Sequence, residues 1–307
     1  MKKGMKSKLN QHGFTVIEFM IATAVFAIVL AAGSGFFGNL NRSAVVNEEL
    51  VDMQQDIRTA MITLVRDISM AGYGTNAFGA CGNPITPTNL SNGPDAIAIA
   101  SMGTIAGNLS AVALPGATQL TIGAGADIPP IGQISIDGIT NVQAVRVGTT
   151  NVVDIDPMLE GAGETYPVGT PILTPSCIQY TVDPVARQLI RNVDGNASLL
   201  ADGVLDMQLA YALDADDDNL IDDADLSGAF DDGDFVDLPG NFADIRLVRV
   251  SLFIQTSRAD PNYVLGAPVT LEDHDPTTDP GYDINNYQPF RSRVLTRIVR
   301  PRNIGLP

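Results

Sequence analysis

Past Lys8 the chain has no lysine. Beyond residue 13 the positive charges are 14 arginines, set against 35 Asp and Glu, a formal charge of −21. A general nucleic-acid binder carries a basic face, so that class is excluded. The balance suits an extracytoplasmic surface that attracts divalent cations. Histidine is almost missing: His12 and His274 are the whole set, and His274 sits in Glu272-Asp273-His274-Asp275-Pro276, which reads as an exposed loop. A Ser/His/Asp or Cys/His site would have to use that residue, and no apolar pocket signal singles out a carboxylate pair, so the sequence gives no support to catalysis. The stretch Gly123-Ala124-Gly125-Ala126 lacks the strand-to-helix setting of a phosphate loop. The two cysteines, Cys81 and Cys177, make a thin metal-ligand set with one histidine. They are expected to pair in an oxidising compartment, with two buried free thiols as the alternative.

What is abundant is apolar surface near the start. Residues 14–37 contain one ionisable side chain, Glu18, and follow a leader carrying Lys2, Lys3, Lys6 and Lys8. Twenty-four helical residues span about 36 Å, enough for a ~30 Å hydrocarbon core. The lysines keep the leader cytoplasmic, so the chain after about Asn39 is expected outside. No second apolar segment is long enough to span. A secretory signal would place a small residue after its apolar core; here Gly13 comes before it, and cleavage there retains the helix. A lone acid inside such a segment is costly unless paired, so Glu18 marks a functional position.

A second pattern follows. Val46, Leu50, Met53, Ile57, Met61, Leu64 and Ile68 form one apolar stripe at helical spacing, ended by Gly72 and Gly74. Together the two segments predict one continuous helix, about 85–90 Å long at ~1.5 Å per residue. Glycines 33, 35 and 38 predict local weakness within it. After Gly74 come ten short β-type runs: 96–100, 119–122, 133–136, 142–147, 152–155, 178–182, 187–191, 205–212, 247–256 and 293–299. No strand–helix–strand alternation appears, so the fold class is α+β: a long N-terminal helix, transmembrane in its first half, packed on an antiparallel β-sheet domain. The domains read as a leader at 1–13, a transmembrane helix at 14–38, its amphipathic continuation at 39–73, and an extracytoplasmic β-rich domain at 74–307. Residues 103–130 resist assignment.

The densest charge lies between Asp214 and Asp237, with further aspartates at 216, 217, 218, 222, 223, 225, 231, 232 and 234. Laid on a calcium loop, Asp214, Asp216 and Asp218 are ligands 1, 3 and 5, the Leu220 carbonyl is 7, Asp222 is 9 and Asp225 is 12. Asn219 stands where glycine is usual and Asp225 where glutamate is. A solvated acidic loop is the bland alternative. The second cluster, Asp231-Asp232-Gly233-Asp234, offers further carboxylates. Near the C-terminus, arginines 291, 293, 297, 300 and 302 read as salt-bridge partners for this acidic chain or for neighbouring subunits, or as contacts to an anionic surface such as DNA.

Gly13-Phe14-Thr15-Val16-Ile17-Glu18, with the basic leader and apolar run, resembles the class III signal of type IV pilins and type II secretion pseudopilins. The resemblance implies cleavage between Gly13 and Phe14 by prepilin peptidase and methylation of the Phe14 amine. Glu18 would neutralise a neighbouring subunit's N-terminal amine during assembly. Residues 64–73, 211–214 with the Asp-rich loop, 248–250 and Arg302-Asn303 resemble PilW-type minor pilins. The chain departs from major pilins in having glycines where a proline is common. The implied function is a minor pilin that primes a type IV pilus and stays at its tip. Its implied partners are other minor pilins, the major pilin, the inner-membrane assembly platform and the membrane itself. The implied location is the inner membrane, then the extracellular pilus. A J-type pseudopilin of type II secretion is the alternative, and a calcium-dependent adhesin mounted on a pilin helix the second.

Overall fold

The computed structural model describes residues 15–304, apart from 74–80, 82, 129–130, 139, 149, 157–164, 219, 225, 229, 261, 265–268 and 279–282. Helix α1 runs unbroken over Val16–Ser69, through Gly33, Gly35 and Gly38. The weakness expected at those glycines does not appear as a break. Within the same stretch the Ser34 hydroxyl donates to the Leu30 and Ala31 carbonyls at 2.9 and 3.0 Å. The helix ends where Gly72 adopts φ +77°, and a Cβ there would lie 3.1 Å from the Asn303 carbonyl oxygen. The Arg302 backbone N–H donates to the Ser69 carbonyl at 3.1 Å, so the C-terminal segment satisfies a carbonyl the helix leaves open. Gly74 lies outside the described residues.

The chain divides into two compact units, Met1–Glu49 and Leu50–Pro307. In the first, the described residues are helical and large apolar side chains stand in the open: Phe19 is 68% exposed, Phe26 63% and Phe37 71%. The helix is long and apolar enough there to cross a membrane.

The second unit is antiparallel throughout its described strand pairs. Its strands are β1 Ile85–Thr88, β2 Ala96–Asn108, β3 Gln119–Thr121, β4 Ile131–Ile136, β5 Thr140–Arg146, β6 Val152–Asp156, β7 Pro171–Asp183, β8 Gln188–Val193, β9 Asn196–Asp202, β10 Val204–Leu213, β11 Ile245–Gln255 and β12 Ser292–Val299. One sheet has the order β1-β2-β7-β4-β5-β6-β3, with β8 joined to β7 and β9 to β8; the other is β10-β11-β12. Each of the ten expected runs overlaps a strand. β1 and β9 carry no expected run, and β2 continues to Asn108 through the small residues that resisted assignment. β9 reads Asn-Ala-Ser-Leu-Leu-Ala-Asp and is mostly exposed, so it carries no alternation to find.

Two cores result. Met53, Ile57, Met61, Leu64 and Ile68 of the helical stripe are buried with Ile97, Ile99, Tyr180, Met207, Leu209, Val248, Val250, Leu252 and Ile254. A second cluster, including Leu120, Ile134, Ile136, Val142, Val153 and Ile172, fills the lobe built from β3 to β6. Cys81 and Cys177 are disulfide-bonded with Cα atoms 5.4 Å apart, closing a sequence separation of 96 residues. A closed loop of that length is worth about 4–5 kcal/mol through lost chain entropy.

One charged residue of the helix faces inward. Asp67 is 4% exposed, accepts a hydrogen bond from the Tyr180 hydroxyl at 2.6 Å, and pairs with Arg191 at 2.7 Å. Burial, followed by the Asp67 carboxylate, pushes the Tyr180 hydroxyl far above its usual pKa. Asp67→Ala strands both partners, so denaturant unfolding should show a loss of about 3 kcal/mol. Tyr180→Phe, which leaves the ion pair intact, should cost only about 1 kcal/mol.

Candidate functional site

Two regions carry the residues singled out by sequence. At the helix start, Gly13 and Phe14 lie outside the described residues. Thr15 and Glu18 form a capping box: the Glu18 carboxylate accepts from the Thr15 backbone N–H and hydroxyl, each at 2.9 Å, and the Thr15 hydroxyl accepts from the Glu18 N–H at 3.3 Å. Thr-x-x-Glu before an apolar run is a helix-start signal, and it is legible in the sequence. One oxygen, Oε2, is engaged by these bonds; Oε1 has no partner among the described residues.

In the Asp-rich loop, Asp214, Asp216 and Asp218 each offer one carboxylate oxygen within 4.8 Å of the others. Asp214 is fully buried and the other two are exposed. The backbone builds this cup. The Asp218 N–H donates to Asp214 at 3.1 Å and to Asp216 at 3.3 Å, and the Leu220 N–H donates to Asp218 at 2.8 Å. Asp217 takes φ +58°, so the left-handed residue is at that position. Asp222 faces elsewhere: its carboxylate accepts from the Ala215 N–H at 2.8 Å and closes the base of the loop. Asn219 and Asp225 lie outside the described residues.

Sequence reasoning missed Arg246. Its guanidinium lies under the cup, 3.0 Å from Asp214 and 3.2 Å from Asp217. No spacing rule reaches from the start of the loop to the start of β11, where Arg246 sits. The three carboxylate oxygens lie close enough together to hold one ion, with Asp214 already paired to Arg246. Two acids of the second cluster are spent on backbone, Asp234 accepting from Ala224 at 2.8 Å and Asp231 at 2.7 Å, and Asp231 accepting from Gly233 at 2.8 Å, while Asp232 pairs with Arg249 at 3.0 Å.

The expectation for His274 is corrected. In place of an exposed loop position, it is 2% exposed and its Nδ1 lies 2.7 Å from Asp206. Asp206 and Gln208 share one face of β10 by parity, and the Gln208 amide donates to Asp206 at 2.8 Å and to the Gly93 carbonyl at 3.2 Å. Nearby, Asp95 is buried and accepts from the Leu90 and Leu209 backbone N–H groups, both at 2.9 Å. Burial pushes its carboxyl up to about 7, against the pull of those two donors, with Asp273 and Asp206 adding repulsion. These groups stiffen the strand and its covering loop.

Of the C-terminal arginines, Arg291 pairs with Asp260 at 2.9 Å and lies over the Tyr263 ring. Arg293, Arg297, Arg300 and Arg302 reach no carboxylate among the described residues.

A long N-terminal helix, apolar on all sides where it starts and one-faced where it is buried with an antiparallel sheet, defines a pilin-like architecture. Two family models match. Residues 168–303 match the model described as Type IV Pilus-assembly protein W, and residues 8–34 match the prokaryotic N-terminal methylation motif. The pilin-like protein PilA3 of Thermus thermophilus is 30% identical over 86 residues, 27% of this chain and 37% of that relative. The match thus spans little more than a third of the relative's length. A solved type IV-like pilin from Thermus thermophilus is 10% identical, with a TM-score of 0.38 over 82% of this chain and 97% of its own. The chain is thus similar to type IV pilins in two stretches, the N-terminal methylation motif and the PilW-type region.

The raised Asp95 carboxyl makes stability depend on pH. A carboxyl near 3.8 when unfolded and about 7 when folded binds its proton more tightly in the native state. Its contribution is complete below the unfolded value and is lost as pH rises through about 7. The shift corresponds to about 4 kcal/mol at most. Thermal unfolding should therefore give a higher Tm at pH 5 than at pH 8, and Asp95→Asn should flatten that slope.

Proposed function

We propose that this chain is a minor pilin that primes assembly of a type IV pilus and remains at its tip. The single observation that carries this is the start of α1: an exposed apolar helix whose first-turn acid, Glu18, is held by Thr15 through one oxygen alone. On this reading the leader is cytoplasmic and the helix sits in the inner membrane. Prepilin peptidase cuts between Gly13 and Phe14, and the new Phe14 amine is methylated. A buried carboxylate and a buried ammonium each cost several kcal/mol unpaired, so docking that brings Glu18 to a neighbour's amine is strongly favoured. Other minor pilins, the major pilin and the assembly platform are the partners. The role is structural, with no chemistry to catalyse.

The test is a deletion strain assayed in parallel for sheared surface pili and for secreted proteins. Loss of pili with normal secretion is expected. Normal pili with trapped exoproteins would assign the chain to type II secretion as a J-type pseudopilin. Glu18→Ala should leave cleavage after Gly13 intact by mass spectrometry, yet abolish rescue of piliation in that strain.

A second reading concerns the loop. We propose that Asp214, Asp216 and Asp218 hold calcium, with the Leu220 carbonyl and water as further ligands. The clustering of three carboxylate oxygens supports it. Asp222 would have to leave the Ala215 N–H to join, and Asp225 would be the last ligand. An ion there screens repulsion among the acids and orders the loop. Millimolar calcium should raise Tm and protect residues 214–237 from proteolysis, and the double variant Asp216→Ala/Asp218→Ala should lose both effects. Equal melting in calcium and in chelator would remove this reading.

A further inference from the structure

Four C-terminal arginines without a carboxylate among the described residues, 293, 297, 300 and 302, lie on or next to one strand. Among the described strands, β12 is an outer strand of its sheet, paired on one side only, to β11. Arg293 and Arg297 pair with Ile254 and Val250, so by parity they share the face of Leu295 and Val299 that turns toward the helix. Beside them, Met61, Ile62, Val65, Met70, Arg66, Arg297 and Arg302 line an open groove of about 410 Å³. Its floor is apolar and its rim is cationic. Ile62, at 64% exposed, has no covering segment there among the described residues.

The charge of this edge runs against the rest of the molecule. Arg191, Arg246, Arg249 and Arg291 are each paired with a carboxylate at 3.2 Å or less. Arg66 has only a 3.6 Å approach to Asp67. Arg293, Arg297, Arg300 and Arg302 have no carboxylate among the described residues, in a chain with 35 acidic side chains. Arg302 and Arg66 lie at the helix C-terminus, where its dipole accounts for a cation. Arg293 and Arg297 have no such local reason. Charges on an edge strand also discourage edge-to-edge aggregation. Here they do so selectively. Two copies of this edge would set arginine against arginine, whereas an acidic strand would be drawn in.

We propose that the free edge of β12 and the groove beside it take up an extended acidic segment of a different protein chain, by strand addition. Backbone hydrogen bonds to the open edge supply affinity, and alternate side chains supply specificity. The spacing of Arg293, Leu295 and Arg297 selects an acidic, an apolar and an acidic residue at every second position. Arginine–carboxylate pairs are charge-assisted, and their two-pronged geometry adds specificity. This surface stands apart from the pilus-priming reading, and its failure would leave that reading untouched.

The test uses the full chain in detergent micelles and a fluorescent peptide, Thr-Glu-Thr-Val-Thr-Glu-Thr, read by anisotropy. Binding is expected, with the Lys-for-Glu peptide at least tenfold weaker. Methylating the peptide's alternate backbone nitrogens should abolish binding, because strand addition needs them. Arg293→Glu/Arg297→Glu should weaken binding at least tenfold with an unchanged melting curve, and the Lys peptide should then bind better than the Glu peptide. If that variant fails to fold, Arg297→Gln is expected to weaken binding while keeping the wild-type Tm. Equal binding of the two peptides, no binding at millimolar concentration, or full binding of the methylated peptide would overturn the proposal. So would a duplex oligonucleotide that displaces the peptide and binds more tightly, since the edge would then be a nucleic-acid surface.

Discussion

One helix has to satisfy two different environments, and the rest of the structure follows from that. Over its first half α1 presents apolar side chains on every side, so it has no stable place in water and must be covered by lipid or by other helices. Toward its C-terminus the same helix narrows to one stripe, with Met53, Ile57, Met61, Leu64 and Ile68 buried and Arg58 and Arg66 outside. Asp67 is the exception on the inner side. Its ion pair with Arg191 and hydrogen bond from Tyr180 tie the helix to β7 and β8 at one defined rotation. An all-apolar contact would leave sliding and rotation cheap; a buried carboxylate with two fixed partners makes both costly.

The parts of this design that are legible in the sequence are those written locally. The apolar run, the stripe at helical spacing and the helix stop at Gly72 each sit within a few residues of one another. The same holds for the alternation of Val248, Val250, Leu252 and Ile254 on β11. The Thr15–Glu18 capping box is equally local, but reading Glu18 as an assembly residue alone hides it. What stays hidden otherwise depends on contacts distant in sequence. β9 is a polar edge strand defined by its pairing with β8, not by its own pattern. His274 looks exposed in sequence because its immediate neighbours are acidic or proline; it is buried because Asp206, 68 residues away, needs a partner inside the sheet's cover.

The charge distribution shows the same division. A chain this acidic has reason to spend its arginines evenly on surface neutralisation. Instead several of them are structural: Arg191 inside the helix–sheet contact, Arg246 beneath the Asp-rich loop, and Arg249 between Asp232 and Glu272 with its guanidinium over Phe235. Each occupies a place where an unpaired carboxylate would otherwise be buried or crowded. Among the described residues, the C-terminal strand is where several arginines without a carboxylate partner are grouped, Arg58 and Arg146 standing singly elsewhere.

The Asp-rich loop is the clearest case of charge used against its own repulsion. Aspartates this closely spaced repel one another, yet the described residues of the loop are held by many hydrogen bonds. Many of its carboxylates accept bonds from nearby backbone N–H groups, which turn the chain. Arg246 removes one charge from the sum at the most buried point. These devices meet most fully at the base of the loop, where Asp214, Asp222 and Asp234 accept backbone donors and Asp214 also pairs with Arg246. Asp216 and Asp218 accept backbone donors too but stay exposed, where solvent screens the repulsion between them.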